Sequence, residues 1–506
     1  MVPSPAKSSI AMQNKCKILL VSLIGFALCV PAQTGSSRPN ILFIAIDDMN
    51  DWTGFLGGHP QAITPNMNVL ADKGVNFKNA HCPAPGCSPS RNAILYGVEP
   101  FNSGLYAFYD QKEFPPEILK PYTALGEVFQ RNGYNTYGSG KIHHRAADNP
   151  KEWTDYYPRQ KNGTIKFDEV DGYRQGKSSK MNFSPTLGPL ENHTDYTNTS
   201  YGVDILSREH DKPFFLAVGI IRPHLPFTAP KQFFDMYPEE VTPAKIKPND
   251  LKDIPPVGRS MAKTGDVQRF NRDKAWNKVW RSYLACITWA DFNVGRLLDA
   301  LHDGPYAENT IVILWSDHGY AMGEKDHFRK FALWEETTRV PFIIWDTRDK
   351  TFKSGREVLD GVSLINIYRT LCDMSGLEIP AYVDGYSLAP YVEDPSLPLP
   401  TPAITSWGRG NYTLRDKHFR YTRYFDGTEE LYPHETDPDE WTNQAKNPEY
   451  AGQIERLSKF LPTSEAPMIM DGLAGWSVPI SADRVNKAVT FMNPDADGRK
   501  KDKKEK

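Results

Sequence analysis

The sequence predicts an α/β fold, with a large, mostly parallel sheet sandwiched by helices and a smaller antiparallel sheet subdomain at the C-terminal end. Three observations carry this expectation. Apolar runs without alternation recur at residues 41–46 (ILFIAI), 214–220 (FFLAVGI), 310–315 (TIVILW) and 340–345 (VPFIIW). A strand that is apolar at nearly every position is buried on both faces, as in a parallel sheet covered by helices. Helical patterns lie between them, at residues 123–131, closed by Asn132-Gly133, and at residues 276–302. Near residue 397 the texture changes: Pro398, Pro400 and Pro402 mark a linker, and residues 411–424 and 429–432 then alternate around an Asp426-Gly427 turn.

Taken in chain order, residues 1–32 read as a signal peptide. Lys15 and Lys17 precede an apolar run at 18–30 that is short for a membrane span, and Val30 and Ala32 supply small residues before a cleavage point. Met12 is an alternative start. Cleavage removes three lysines and no acid, taking the formal charge from −3 to −6. A periplasmic or secreted protein with no stable membrane span is expected. Residues 39–396 form the predicted larger domain, with a short strand at 135–138 after the first helix. Residues 397–485 form the smaller subdomain, with a helix at 448–461, and the charged residues 486–506 a solvated, disordered tail.

With 40% hydrophobic and 24% charged residues over 506 positions, the chain is neither a disordered protein nor a small disulfide scaffold. Its near-neutral charge supplies no basic field for nucleic acid. Six cysteines are present, two of them within the signal. Cys82, Cys87, Cys286 and Cys372 remain in an oxidising compartment, where two disulfides are open to them; their spacing does not suit zinc.

Two predicted strand ends carry acids, Asp47-Asp48 and Asp317-His318. Ligands of open α/β sheets gather at such ends. Adjacent buried carboxylates repel unless a cation lies between them, so two such pairs in one chain favour a divalent metal, with oxygen-rich ligation suiting Ca²⁺ or Mg²⁺. A third signal is Cys87-Ser88-Pro89-Ser90-Arg91, where Pro89 and Ser90 suit a first helical turn and put Cys87 at a helix N-terminus.

Cys-x-Pro-Ser-Arg followed by a leucine-containing turn resembles the signature of the type I sulfatases, in the alkaline-phosphatase-like superfamily. The likeness covers nearly all of the mature chain in family order. Asp47-Asp48 resembles the first metal pair and Asp317-His318-Gly319-Tyr320 the second. Gly140-Lys141-Ile142-His143-His144 and Arg222-Pro223-His224-Leu225-Pro226-Phe227 resemble the family's two histidine blocks, and Lys330 falls where its second active-site lysine lies. Asp-His in the second metal pair and the Pro-His-Leu-Pro-Phe block are most similar to the iduronate-2-sulfatase-like branch. Tyr96 departs from the Thr usual at its position.

The resemblance implies a sulfuric ester hydrolase acting on a sulfated carbohydrate of ulvan, carrageenan or glycosaminoglycan type. It implies a maturation enzyme that oxidises Cys87 to formylglycine, whose hydrate attacks sulfur and later expels sulfate. The metal, Ca²⁺ rather than Mg²⁺, would be held by Asp47, Asp48, Cys87, Asp317 and His318. Arg91, Lys141 and Lys330 would stabilise developing charge, with His224 and His144 moving protons; branch spacing favours His144 over His143. A phosphoester hydrolase of the same superfamily, or a glycan-binding protein with unmatured Cys87, is the alternative. The insertion at 149–200, rich in Tyr, Lys and Asn, is the expected source of sugar contacts.

Overall fold

The strand predicted at residues 41–46 is the centre of the molecule. In the computed structural model, which describes residues 38–109, 117–144, 151–157, 172–174, 181–351, 355–474 and 479–484, it becomes β1 (Asn40–Ile46), buried at every position. The remaining strands of the main sheet are β2 (Val75–Phe77), β3 (Asn135–Gly140), β4 (Asp155–Tyr157), β5 (Phe214–Ile220), β6 (Thr310–Ser316), β7 (Phe342–Asp346) and β8 (Arg356–Val358). Their spatial order is β8-β2-β7-β6-β1-β5-β3-β4. Every pairing is parallel except the two made by β7. The expected signal peptide, the expected tail and much of the 149–200 insertion lie outside the described residues.

The lack of alternation in β1 follows from having a core on each side. Leu42, Ile44 and Ile46 pack into one core with Met67 and Leu70 of α1 (Pro65–Lys73). Ile41, Phe43 and Ala45 face the other, with Ile94 and Leu95 of α2 (Cys87–Tyr96) and Val128 and Phe129 of α3 (Leu125–Arg131). The first core also receives α4 (Thr194–Ser207) and α5 (Trp276–Asp303), the second α6 (Asn366–Met374). At roughly 25 cal/mol per Å² of apolar surface removed from water, these two cores dominate the stabilisation.

Beyond the proline-rich linker, β9 (Ala403–Ser406), β10 (Tyr412–Arg415), β11 (Phe419–Arg423) and β12 (Glu429–Pro433) form an antiparallel meander. The predicted 448–461 helix is a 3₁₀ turn, Pro448–Tyr450, running into α7 (Ala451–Ser458). Among the described residues no disulfide forms: Cys82, Cys87, Cys286 and Cys372 are all buried as free thiols. Three of them fill core positions as small apolar side chains, and the disulfides open to the four cysteines are not made. No helix of the described residues is long and apolar enough to cross a membrane.

The two sheets belong to one compact unit and meet through buried charge. Arg420 of β11, fully buried, donates to the carboxylates of Glu335 and Glu440 and to the Leu333 carbonyl. Arg415 reaches Glu335 at 3.3 Å, and His434 Nε2 lies 3.0 Å from Glu440. Burial pushes both acids up, but Arg415, His434 and Arg420 outweigh it and hold Glu335 well below the usual carboxylate range. Arg420 and His434 likewise lower Glu440. Removing one member strands the others without compensation, which costs far more than a surface pair. Arg420→Met should therefore lose about 3–5 kcal/mol of stability, read from urea unfolding.

Candidate active site

β1 and β6 lie side by side with Ile46 opposite Ser316, so Asp47-Asp48 and Asp317-His318 leave the sheet together. All four are fully buried. The Asp48 amide donates to Asp317 Oδ1 at 3.1 Å, and Tyr283 of α5 donates its hydroxyl to the Asp48 carbonyl at 2.7 Å. Asp48 has φ +64°, a left-handed conformation that aspartate tolerates better than most side chains. That turn ends the strand and folds the second carboxylate back toward the first.

Cys87 is the first residue of α2, preceded by Gly86. Its Sγ lies 2.9 Å from Lys330 Nζ, 3.2 Å from His318 Nε2 and 3.7 Å from Asp48 Oδ1. His318 Nδ1 faces the Gly319 carbonyl at 2.9 Å. A carbonyl only accepts, so Nδ1 carries a proton and Nε2 is the atom turned to Cys87. Lys330 Nζ also donates to Asp48 Oδ1 at 2.8 Å, and Lys141 Nζ to Asp47 Oδ2 at 2.5 Å. Arg91, one turn along α2, is engaged at all three nitrogens: Nε by Asp317 at 2.7 Å, the others by the Lys141, Ile142 and Ile46 carbonyls. It clamps the two acid-bearing strand ends to the chain that follows β3.

That chain settles where the adjacent histidines go. Gly140 has φ +74°, and a Cβ there would sit 2.0 Å from the Gly219 carbonyl, so only glycine fits. β3 runs two residues past its predicted end, to Gly140, and turns there. His143 then pairs with the buried Glu152 at 2.8 Å. His144 hydrogen-bonds Cys87 and packs edge-on against Phe108, ring centroids 4.9 Å apart. His224 directs Nδ1 to the Leu225 carbonyl at 2.6 Å and Nε2 toward Asp48 Oδ2, 3.9 Å away, with a third of its side chain exposed.

The charges are mutually adjusted. Burial pushes the Cys87 thiol up, but Lys141, Lys330 and His318 together hold it well below its usual range. Burial alone would neutralise His318; Asp317 and the Cys87 thiolate instead raise it to about 9. Asp317 is lifted to about 6 by burial, against the pull of Arg91 and His318. Burial lowers His144, with Lys141 and Lys330 adding to the effect.

Asp47, Asp48, Cys87 and His318 bring one ligand atom each to within 4.8 Å of one another. Asp47 Oδ1 and Asp48 Oδ2 are buried with no hydrogen-bond partner among the described residues. Two orphaned carboxylate oxygens beside an imidazole nitrogen form a donor set that suits a hard divalent cation. Asp317 stands beside this group, Oδ1 3.5 Å from His318 Nε2.

A protein-family model described as Sulfatase matches residues 39–377. The chain belongs to the sulfatase family. It is 36% identical to a sulfatase of Formosa agariphila over 85% of this chain and 87% of that one. It is 27% identical to human iduronate 2-sulfatase, over 80% and 78% of the two chains. A solved structure described as a 2-O GAG sulfatase superposes with TM-score 0.64 at 20% identity, covering 92% of this chain and 94% of that one. The sulfatase fold and its sulfuric ester hydrolase chemistry are thus those of this protein.

Sequence reasoning passed over the aromatic wall of this sulfatase site. Phe108, Phe331 and Trp407 pack with Cys87 in one cluster, Phe331 stacking on Trp407 with centroids 5.2 Å apart. Nothing in their spacing signals it, because three distant segments supply them; only Phe331, next to Lys330, adjoined a motif. His327 was also missed. Its Nδ1 accepts from the Lys263 amide at 2.8 Å and its Nε2 donates to the Lys330 carbonyl at 3.0 Å. Burial drives its pKa down to about 3. Between that value and an ordinary histidine pKa, the unfolded chain binds a proton that the folded chain refuses, so stability falls as pH falls. In His327→Gln the slope of urea-derived stability against pH, taken between about 6.5 and 4.5, should be smaller by roughly 1.4 kcal/mol per pH unit.

Proposed function

We propose that this sulfatase hydrolyses sulfate esters on a carbohydrate that carries uronic acid, either a glycosaminoglycan or an algal polysaccharide such as ulvan, in the periplasm or outside the cell. The observation that carries the reading is the setting of Cys87: a buried side chain at a helix start, between two cationic groups and against an acid-lined pocket. The substrate class is supported by the likeness to an iduronate 2-sulfatase and to a 2-O GAG sulfatase. The N-terminal pattern of residues 1–32 supports export, and residues 39–396 and 397–485 are the proposed limits of the catalytic and smaller parts.

Asp47, Asp48, Asp317 and His318, with side chain 87, would hold a divalent cation, Ca²⁺ in preference to Mg²⁺, which when bound supplies positive charge for a sulfate oxygen. Formylglycine at position 87, made from Cys87 by a maturation enzyme, supplies a hydroxyl nucleophile when present. The rest falls to the chain's own groups. Lys141, bonded to Asp47, and Lys330, bonded to Asp48, neutralise charge that builds on the sulfuryl oxygens. His144, kept neutral by burial, accepts a proton from side chain 87. His224, turned inward at Nε2 and partly open to solvent, donates to the leaving oxygen. Arg91 acts by fixing Asp47 and Asp317. Phe108 and Phe331 keep water away from residue 87.

His144→Ala should lower kcat by about thirtyfold to thousandfold on one sulfated substrate, the loss expected for about 2–4 kcal/mol of transition-state stabilisation. His143→Gln, which keeps a donor for Glu152, should stay within a few-fold of wild type. The reverse pattern would exchange their roles. Cys87→Ala should abolish turnover, and the wild-type peptide carrying residue 87 should weigh less than its thiol form by the difference between SH₂ and O.

Exhaustive chelation should abolish turnover, with Ca²⁺ restoring it, and a sulfate ester should be cleaved faster than the phosphate ester of the same alcohol. Full activity after chelation would remove the cation from the mechanism. Preference for phosphate would move the substrate class to phosphoesters.

A further inference from the structure

Away from Cys87, a cavity of about 310 Å³ opens between the chain that leaves α2 and the loop around Asp384. Glu99 and Asp384 both line it, and no Lys, Arg or His does. Glu99 is only 7% exposed, and its Oε2 has no hydrogen-bond partner among the described residues. A buried carboxylate in that state has given up its hydration without replacing it.

Asp384 faces the same space. One of its oxygens, Oδ2, accepts from the Glu99 amide at 2.7 Å and from Asn102 Nδ2 at 2.9 Å. Asn102 spends its nitrogen there, so its amide oxygen stays available. Ser363 and Thr401 add hydroxyls to the wall. Asn366 accepts from the Tyr386 amide at 2.9 Å through Oδ1, and its Nδ2, like Glu99 Oε2, has no hydrogen-bond partner among the described residues. Apart from that amide nitrogen, the side-chain polar groups left over are oxygen acceptors and hydroxyls. Burial, with Asp384 adding to it, pushes the Glu99 carboxyl well above its usual range. The cavity is therefore short of positive charge and rich in hard oxygen donors.

We propose that this cavity is a second cation site, taking Ca²⁺ through the carboxylates of Glu99 and Asp384, separate from the site at Cys87. Its place in the fold gives it a task. Asp384 donates its amide to the Gly97 carbonyl at 2.8 Å, at the end of the helix that begins with Cys87. An ion bridging Glu99 and Asp384 pins that helix end to the loop that follows α6.

The test counts Ca²⁺ ions on the full purified chain, stripped by chelation and dialysed against Ca²⁺ alone. Wild type should bind two per chain. The Asp47→Asn/Asp48→Asn double variant should keep one, together with a Ca²⁺-induced rise in melting temperature. Glu99→Gln should also keep one, and the combination of all three substitutions none. Should Glu99→Gln fail to fold, Asp384→Asn takes its place in the same count. A double variant that binds no Ca²⁺ and shows no rise overturns the proposal; that is the result if Glu99 is merely protonated or hydrated. A wild-type count of one that is lost in Glu99→Gln and kept in the double variant would leave this site standing while removing the cation proposed at Cys87.

Discussion

Three carboxylates delivered to one buried spot are the constraint on which the rest of the site depends. β1 and β6 are neighbours in register, and each ends in acid. Asp47, Asp48 and Asp317 therefore cannot avoid one another, and in a low-dielectric interior their repulsion would unfold the strand ends if nothing opposed it. Everything arranged around Cys87 answers that problem. Lys141 comes from the end of β3, Arg91 from α2 and Lys330 from a segment after β6, each bonded to a different acid oxygen. The parallel sheet makes this possible because it brings the carboxyl ends of several strands to one edge.

The Lys330 segment shows what this placement demands. Arg329 and Phe331, on either side of Lys330, have φ +93° and +82°, conformations that non-glycine residues rarely adopt. Such a backbone persists only when its surroundings over-determine it. His327 holds the Lys330 carbonyl, the Phe331 amide donates to the Pro85 carbonyl at 2.9 Å, and the Phe331 ring stacks on Trp407. A few residues on, Arg420 and Glu430 of the smaller sheet grip Leu333, Trp334 and Glu335. The C-terminal meander thus has a physical reason to be attached: it braces the strained turn that aims Lys330 at Cys87.

How much of this could be read in the sequence follows from what each feature depends on. The main strands were legible because full burial erases alternation, and the acid pairs because carboxylates at strand ends are conspicuous against apolar runs. The antiparallel direction of β7 was not, since its composition matches that of its parallel neighbours. The free cysteines were not legible either: oxidation needs two thiols in reach, and sequence carries no distances. Arg91 was singled out as a cation facing the reaction, whereas its nitrogens are taken up by Asp317 and three carbonyls. Residue type gave its charge, and only the fold gave its direction.

Charge balance around residue 87 carries one further step. Asp47, Asp48 and Asp317 are matched by Arg91, Lys141 and Lys330, so these six groups sum to neutrality. A sulfate ester brings a negative charge into the same enclosed space. Against a neutral set that includes three carboxylates, the anion gains little in exchange for its lost hydration. Conversion of Cys87 to an uncharged side chain removes one competitor, the thiolate now held by Lys330 and His318. A divalent cation among the orphaned oxygens of Asp47 and Asp48 would then leave the pocket positive before substrate arrives and still positive after it binds. The chain assembles the acids not for their own negative charge but for the excess of positive charge that they can retain, in a site that attracts sulfate and holds the charge of its transition state.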